Sequence, residues 1–92
     1  MDKEIRVHPR VHERHPEIDE SDVKHAWKSA VKWVRRAEKS SEEYVVIGVD
    51  GKGRILEMVA VETDENSWFV YHAMTPPSHS TFAEVGLQQI RK

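Results

Sequence analysis

The sequence predicts an α+β domain: a short N-terminal strand and two helices, then a three-stranded antiparallel meander, with a short helix at the C-terminus. Three observations carry this expectation. A helical period of apolar residues runs from Val23 to Lys39. Two β-branched, apolar runs flank Asp50-Gly51-Lys52-Gly53, a strong hairpin signal. The helical signals precede the strands instead of alternating with them, which separates α+β from a parallel βαβ arrangement. At 92 residues the chain is read as one domain, 1–92.

Lys3 to Val7 alternates weakly and reads as an edge strand. Pro9 suits a first helical turn, so His8 to His15 is expected to be helical, and Pro16 ends it. Asp19 or Ser21 can cap the next helix, with Asp22 in its first turn. From Val23 to Lys39, one arc holds Val23, Ala26, Trp27, Ala30, Val31, Trp33, Val34 and Ala37, and the opposite arc holds Lys24, Lys28, Lys32, Arg35, Arg36 and Lys39. Tyr44 to Val49 is a strand, Arg54 to Glu62 a central one, and Ser67 to Met74 a third, bounded by Pro76-Pro77. Thr63 to Asn66 is the second turn. Thr81 and Glu84 are spaced as a capping box for a helix between Ser78 and Ile90.

Composition narrows the function classes. Hydrophobic residues are 38% and charged residues 33%, as in soluble globular domains. There is no cysteine, which rules out disulfides and Cys-ligated zinc or iron–sulfur sites. No apolar run reaches the roughly 18–20 residues of a membrane span. The charged start Met1-Asp2-Lys3-Glu4 leads into no signal-peptide core, so a cytoplasmic location is expected, with no membrane contact. No phosphate-binding glycine loop is present, and no cofactor is implied. The net charge of −2 is a split: +2 over residues 1–40 and −4 over residues 41–92. The basic helix face contains no acid, and Glu38 is the only one between Val23 and Lys39. A solvated face usually mixes signs, so an all-cationic one points to a polyanionic partner.

Ile5-Arg6-Val7-His8-Pro9-Arg10, Arg14 and Ile18-Asp19-Glu20-Ser21-Asp22-Val23 form a strand, a histidine, an Arg-bearing helix and a second helix start. Tyr44-Val45-Val46-Ile47-Gly48 and Gly53-Arg54-Ile55-Leu56-Glu57-Met58-Val59 form the front of a meander. Together these resemble small prokaryotic toxins of the RelE superfamily, nearest to its BrnT-like members. The resemblance covers most of residues 5–85. It implies a RelE-like β-α-α-β-β-β fold and a type II toxin. Such a toxin cleaves mRNA, free or on the ribosome, arrests translation and growth, and is neutralised by a cognate antitoxin. It also implies roles for Arg54, at the family's Gly-Arg position, and for His8, at the histidine before the first helix. The last strand departs from the family: where BrnT-like toxins read Ser-Ala-Arg, this chain reads His72-Ala73-Met74.

Metal-free RNA scission needs a base for the 2′-hydroxyl, a cation for the phosphorane and an acid for the leaving 5′-oxygen. Arg54 suits the cation role, and His72 and His8 suit proton transfer. His72 alternates with Trp68 and Val70, so it is expected on their face, either as a core histidine or as an acid–base group. Tyr71 is expected to point the other way. Trp27, Trp33 and Trp68 read as core rather than as base-stacking platforms. His8 and His12 lack an evident third ligand, so no metal is assigned. Lys24, Lys28, Lys32, Arg35, Arg36 and Lys39 would hold RNA phosphate or an acidic antitoxin segment. The rival reading is a catalytically inactive module of the same fold that binds a partner protein. A helix-turn-helix repressor fits poorly, because Pro16 interrupts the helix–helix junction.

Overall fold

The computed structural model describes residues 4–36, 43–63 and 67–86. In chain order these form β1 (Glu4–Val7), α1 (Arg10–Arg14), α2 (Glu20–Lys28), β2 (Lys32–Arg36), β3 (Glu43–Val49), β4 (Ile55–Glu62), β5 (Ser67–Met74) and α3 (His79–Val85). The strands make one mixed sheet in the order β1-β5-β4-β3-β2. Strand β1 runs parallel to β5, and the other neighbours are antiparallel. The fold is α+β, with β1 at one edge and β4 in the middle, and the antiparallel part holds four strands where three were expected.

The extra strand corrects the helix read from Val23 to Lys39. Helix α2 stops at Lys28, where the Ser29 N–H bonds back to the His25 and Ala26 carbonyls. Val31 then donates to Ile47 O over 2.8 Å, and Lys32 to Arg36 pairs with β3. Residues 31–36 carry β-branched and aromatic side chains whose spacing fits a period of two as well as 3.6. Pairing with β3 settles the choice, since it satisfies a row of backbone groups that would otherwise lie open on the β3 edge. The six-cation helix stripe therefore does not exist as one face. Lys24 and Lys28 lie on α2, Lys32, Arg35 and Arg36 lie on β2, and Lys39 lies outside the described residues. Lys24 is also paired within its own helix, with Glu20 at 3.1 Å.

Helices α1 and α2 cover one sheet face. Val11, Ile18, Val23 and Ala26 pack there on Val46, Leu56, Met58, Ala60, Val70 and Ala73. Asp19 caps α2, and the Asp22 carboxylate accepts from the Asp19 N–H at 2.9 Å. The helix crosses β3 at Gly48, where a Cβ would lie 1.9 Å from the Ala26 carbonyl oxygen, so only glycine allows the approach. Trp27, Trp33, Trp68 and Tyr44 interlock on this face, with ring centroids 4.8 to 6.0 Å apart. Trp27 and Trp68 pack against the core as expected, whereas Trp33, also read as core, is 42% exposed.

The opposite face is different. It holds a small apolar cluster, Val45 and Ile47 with Val34, and beyond it a strip of polar side chains. Here β5 carries a bulge. Val59 pairs with His72 but Ala60 pairs with Val70, leaving Tyr71 as an extra residue. One inserted residue reverses the alternation that follows it. His72 therefore shares the face of its partner Val59, not that of Trp68 and Val70 as the simple alternation predicts. Tyr71 is turned to the same side as His72 and lines the same pocket. Helix α3 begins beside this face and is capped by Ser78, whose Oγ accepts from the Thr81 N–H at 3.2 Å. The predicted cap at Thr81 is thus one turn too late. Residues 64–66 of the second turn and 87–92 of the expected C-terminal helix lie outside the described residues.

Candidate functional site

Arg10, Arg36, Glu57, Val59, Tyr71 and His72 line a cavity of about 220 Å³ on the second sheet face. The chain brings them there from four elements. Glu57 and Val59 alternate along β4, Arg36 ends β2, and Arg10 opens α1. Tyr71 and His72 arrive together because of the bulge.

The pocket holds an acid–base pair. His72 Nε2 is 2.7 Å from Glu57 Oε2. The Glu57 side chain is 7% exposed. Burial pushes its carboxyl up, but hydrogen bonds from His72, the Ser78 N–H and Thr81 outweigh that and hold it down at about 2. A carboxylate can only accept, so His72 Nε2 carries the proton and Nδ1 is the ring nitrogen left for another partner. The other Glu57 oxygen, Oε1, accepts from the Ser78 N–H at 3.0 Å and from Ser78 Oγ at 3.3 Å.

A second pair flanks the first. Tyr71 donates its hydroxyl proton to Glu43 Oε2. Glu43 is buried, and its Oε1 lies 3.5 Å from Arg36 Nη1 without a hydrogen bond. Burial and the Glu43 carboxylate push the Tyr71 phenol up to about 12, against the opposing pull of Arg36 and Arg10. Tyr71 is therefore a fixed donor, not an acid that ionises near neutral pH. The site thus offers an imidazole backed by a carboxylate, with two guanidinium groups on its walls. That arrangement can move a proton beside a bound oxyanion.

Of the residues singled out in the sequence, His72 and Arg36 are in this pocket. Arg54 is not among its lining residues. Its Nε donates to Asp50 Oδ2 at 2.8 Å, Nη2 to Asp22 Oδ2 at 3.1 Å and Nη1 to the Glu17 carbonyl at 3.0 Å. Asp50 and Asp22 are buried, and both carboxyls are held below their usual range: burial pushes them up, and hydrogen bonds together with Arg54, and Lys52 for Asp22, pull them down further. Arg54 thus ties the β3–β4 turn to the start of α2. His8 does not line the pocket either. Its Nδ1 accepts from the Arg10 N–H at 2.9 Å, its ring meets Phe69 edge-on at 5.6 Å, and so it shapes the start of α1. His12 and His15 stay local, at 2.9 Å from the Ile18 carbonyl and 3.7 Å from Glu17. Among the described residues no group of three or more His, Asp or Glu gathers that could hold a metal.

Sequence reasoning missed Glu57, Glu43, Tyr71 and Arg10. One signal pointed to Glu57: it is the lone charge in Ile55-Leu56-Glu57-Met58-Val59-Ala60-Val61, the strand read as central. A carboxylate in that setting must have partners.

No family model, curated protein or solved structure matches the chain. Fold and site define a small α+β protein with a five-strand mixed sheet and a polar acid–base pocket on one face. Among its described residues no helix is long and apolar enough to cross a membrane.

Proposed function

We propose that the protein is a metal-independent endoribonuclease that acts as the toxin of a prokaryotic type II toxin–antitoxin pair, BrnT-like within the RelE superfamily, in the cytoplasm. The observation that carries this reading is the His72–Glu57 pair at 2.7 Å in a pocket walled by Arg10 and Arg36. The order of strand, two helices and antiparallel meander supports it, with one strand more than the RelE-like expectation. In the proposed step the 2′-oxygen attacks phosphorus and the bond from phosphorus to the 5′-oxygen breaks. The products are a 2′,3′-cyclic phosphate and a 5′-hydroxyl. His72 takes the 2′-hydroxyl proton through Nδ1, Glu57 stabilises the imidazolium formed, and that imidazolium returns a proton to the 5′-oxygen. Arg10 and Arg36 hold the charge that develops on the phosphorane. Arg54 has a structural part, and the antitoxin is the expected protein partner.

The test is induced expression of the protein alone in bacteria, with growth and transcript integrity followed. Growth arrest with cleaved transcripts, relieved by His72→Ala, is the expected result. A second reading, an inactive module that binds a partner protein, draws on two observations. Met74 stands where the resembling family has arginine, and the Arg54 charge is already taken up by Asp22 and Asp50. Normal growth with a folded product would select that reading.

A further inference from the structure

The two oxygens of Glu57 face different parts of the fold. Oε2 meets His72 on β5, and Oε1 meets Ser78 at the start of α3. Ser78 has several jobs at once. Its N–H and Oγ both donate to Glu57, its Oγ caps α3 through the Thr81 N–H, and the same Oγ lies 3.1 Å from Thr81 Oγ1 and 3.2 Å from Ser80 Oγ. Thr81 is 2% exposed, sits against Ser78 Oγ, and helps to hold the Glu57 carboxyl down. The cap of α3 and the carboxylate of the acid–base pair are therefore one hydrogen-bonded unit. A glutamate has three side-chain torsions, and its carboxylate can address an imidazole over 2.7 Å only when those torsions are fixed. The head is held on both sides, by His72 at Oε2 and by Ser78 at Oε1.

We infer that Ser78 and Thr81 are positioning residues: the capped N-terminus of α3 orients the Glu57 carboxylate, and through it the His72 imidazole. Helix α3 is then part of the site although it contributes no group that touches substrate. The catalytic meaning of this inference rests on the ribonuclease reading, whereas the geometry it claims does not. The groups facing Glu57 and His72 are Arg10 from α1, Arg36 from β2, Tyr71 from β5, and Ser78 and Thr81 at α3.

The experiment uses the full chain and three variants: Ser78→Ala, Ser78→Thr and the double variant Ser78→Ala with Thr81→Val. Carbon-13 NMR follows the Glu57 carboxyl carbon from pH 6 down to the onset of acid unfolding. In the starting protein Glu57 stays ionised above pH 3, in line with a pKa of about 2. The double variant is expected to protonate at Glu57 above pH 3, Ser78→Ala to shift in the same direction by less, and Ser78→Thr to restore the starting curve. RNA cleavage measured on the same samples is expected to fall about tenfold in kcat for the double variant with KM held, and to recover in Ser78→Thr. A Glu57 titration unchanged in the folded double variant overturns the inference. If the titration shifts while the starting protein cleaves no RNA, the positioning stands and the ribonuclease reading falls.

Discussion

Arg54 and His72 show how far a side chain's role depends on what surrounds it. Both suit RNA chemistry by residue type, yet Arg54 meets two buried carboxylates and a carbonyl, whereas His72 meets one carboxylate and an open cavity. Two predictions follow from that contrast. Arg54→Ala leaves Asp50 and Asp22 short of hydrogen bonds in buried positions and is expected to lower Tm by about 5 °C or more in calorimetry. His72→Ala takes one hydrogen bond from the buried Glu57 carboxylate but leaves those from Ser78, so it is expected to lower Tm by a few degrees with the fold kept, while cutting RNA cleavage at least ~100-fold. If cleavage survives in His72→Ala and is lost in a folded Arg54→Ala protein, the site has been placed on the wrong residues. Arg10→Ala should also lower cleavage, by roughly 100-fold, with little change in stability.

Elements explain what could be read in advance and what could not. The β3–β4 hairpin was legible because Asp50-Gly51 interrupts two runs of β-branched residues, and only a hairpin uses both. Helix α2 was legible in its first half. Its end was not, because Val31 to Arg36 satisfies both periods and the decision belongs to a strand that comes later in the chain. The bulge at Tyr71 left no mark in the sequence, and that single residue reversed the predicted face of His72, while Tyr71 points away from Trp68 and Val70 as simple alternation predicts. The pocket was legible only in part, since Arg10 and Arg36 reach His72 from elements whose packing the local pattern does not encode. The crossing of α2 over β3 yields a sharp test. Gly48→Ala drives a methyl group into the Ala26 backbone, and a backbone carbonyl cannot rotate away as a side chain can. A loss of about 3 kcal/mol in urea unfolding is expected. A loss under 1 kcal/mol would mean that α2 can slide along the sheet.

For the whole molecule, ionisations at both ends bound the range of stability: Glu57, with Asp22 and Asp50, on the acid side and Tyr71 on the alkaline side. The Glu57 carboxyl is held at about 2 in the folded chain against an ordinary 4.5, so its contribution is full above 4.5 and is lost as pH falls through 2. Linkage makes this on the order of 3 kcal/mol. The Tyr71 phenol is raised from 10 to about 12, so its contribution is full below 10 and is lost as pH rises through 12. A stability plateau between about pH 5 and 10 is expected from denaturant melts, and Glu57→Gln should flatten its acid side. The tryptophan cluster has an optical consequence. All three indoles of the chain, Trp27, Trp33 and Trp68, lie within 5.5 Å of one another, centroid to centroid, on the helix-covered face. Their transitions are coupled, so an exciton couplet in far-ultraviolet circular dichroism should report one corner where α2, β2 and β5 meet. A ligand entering the His72 pocket on the other face should leave that couplet and the fluorescence emission unchanged, and a partner seated over Trp33 should alter both.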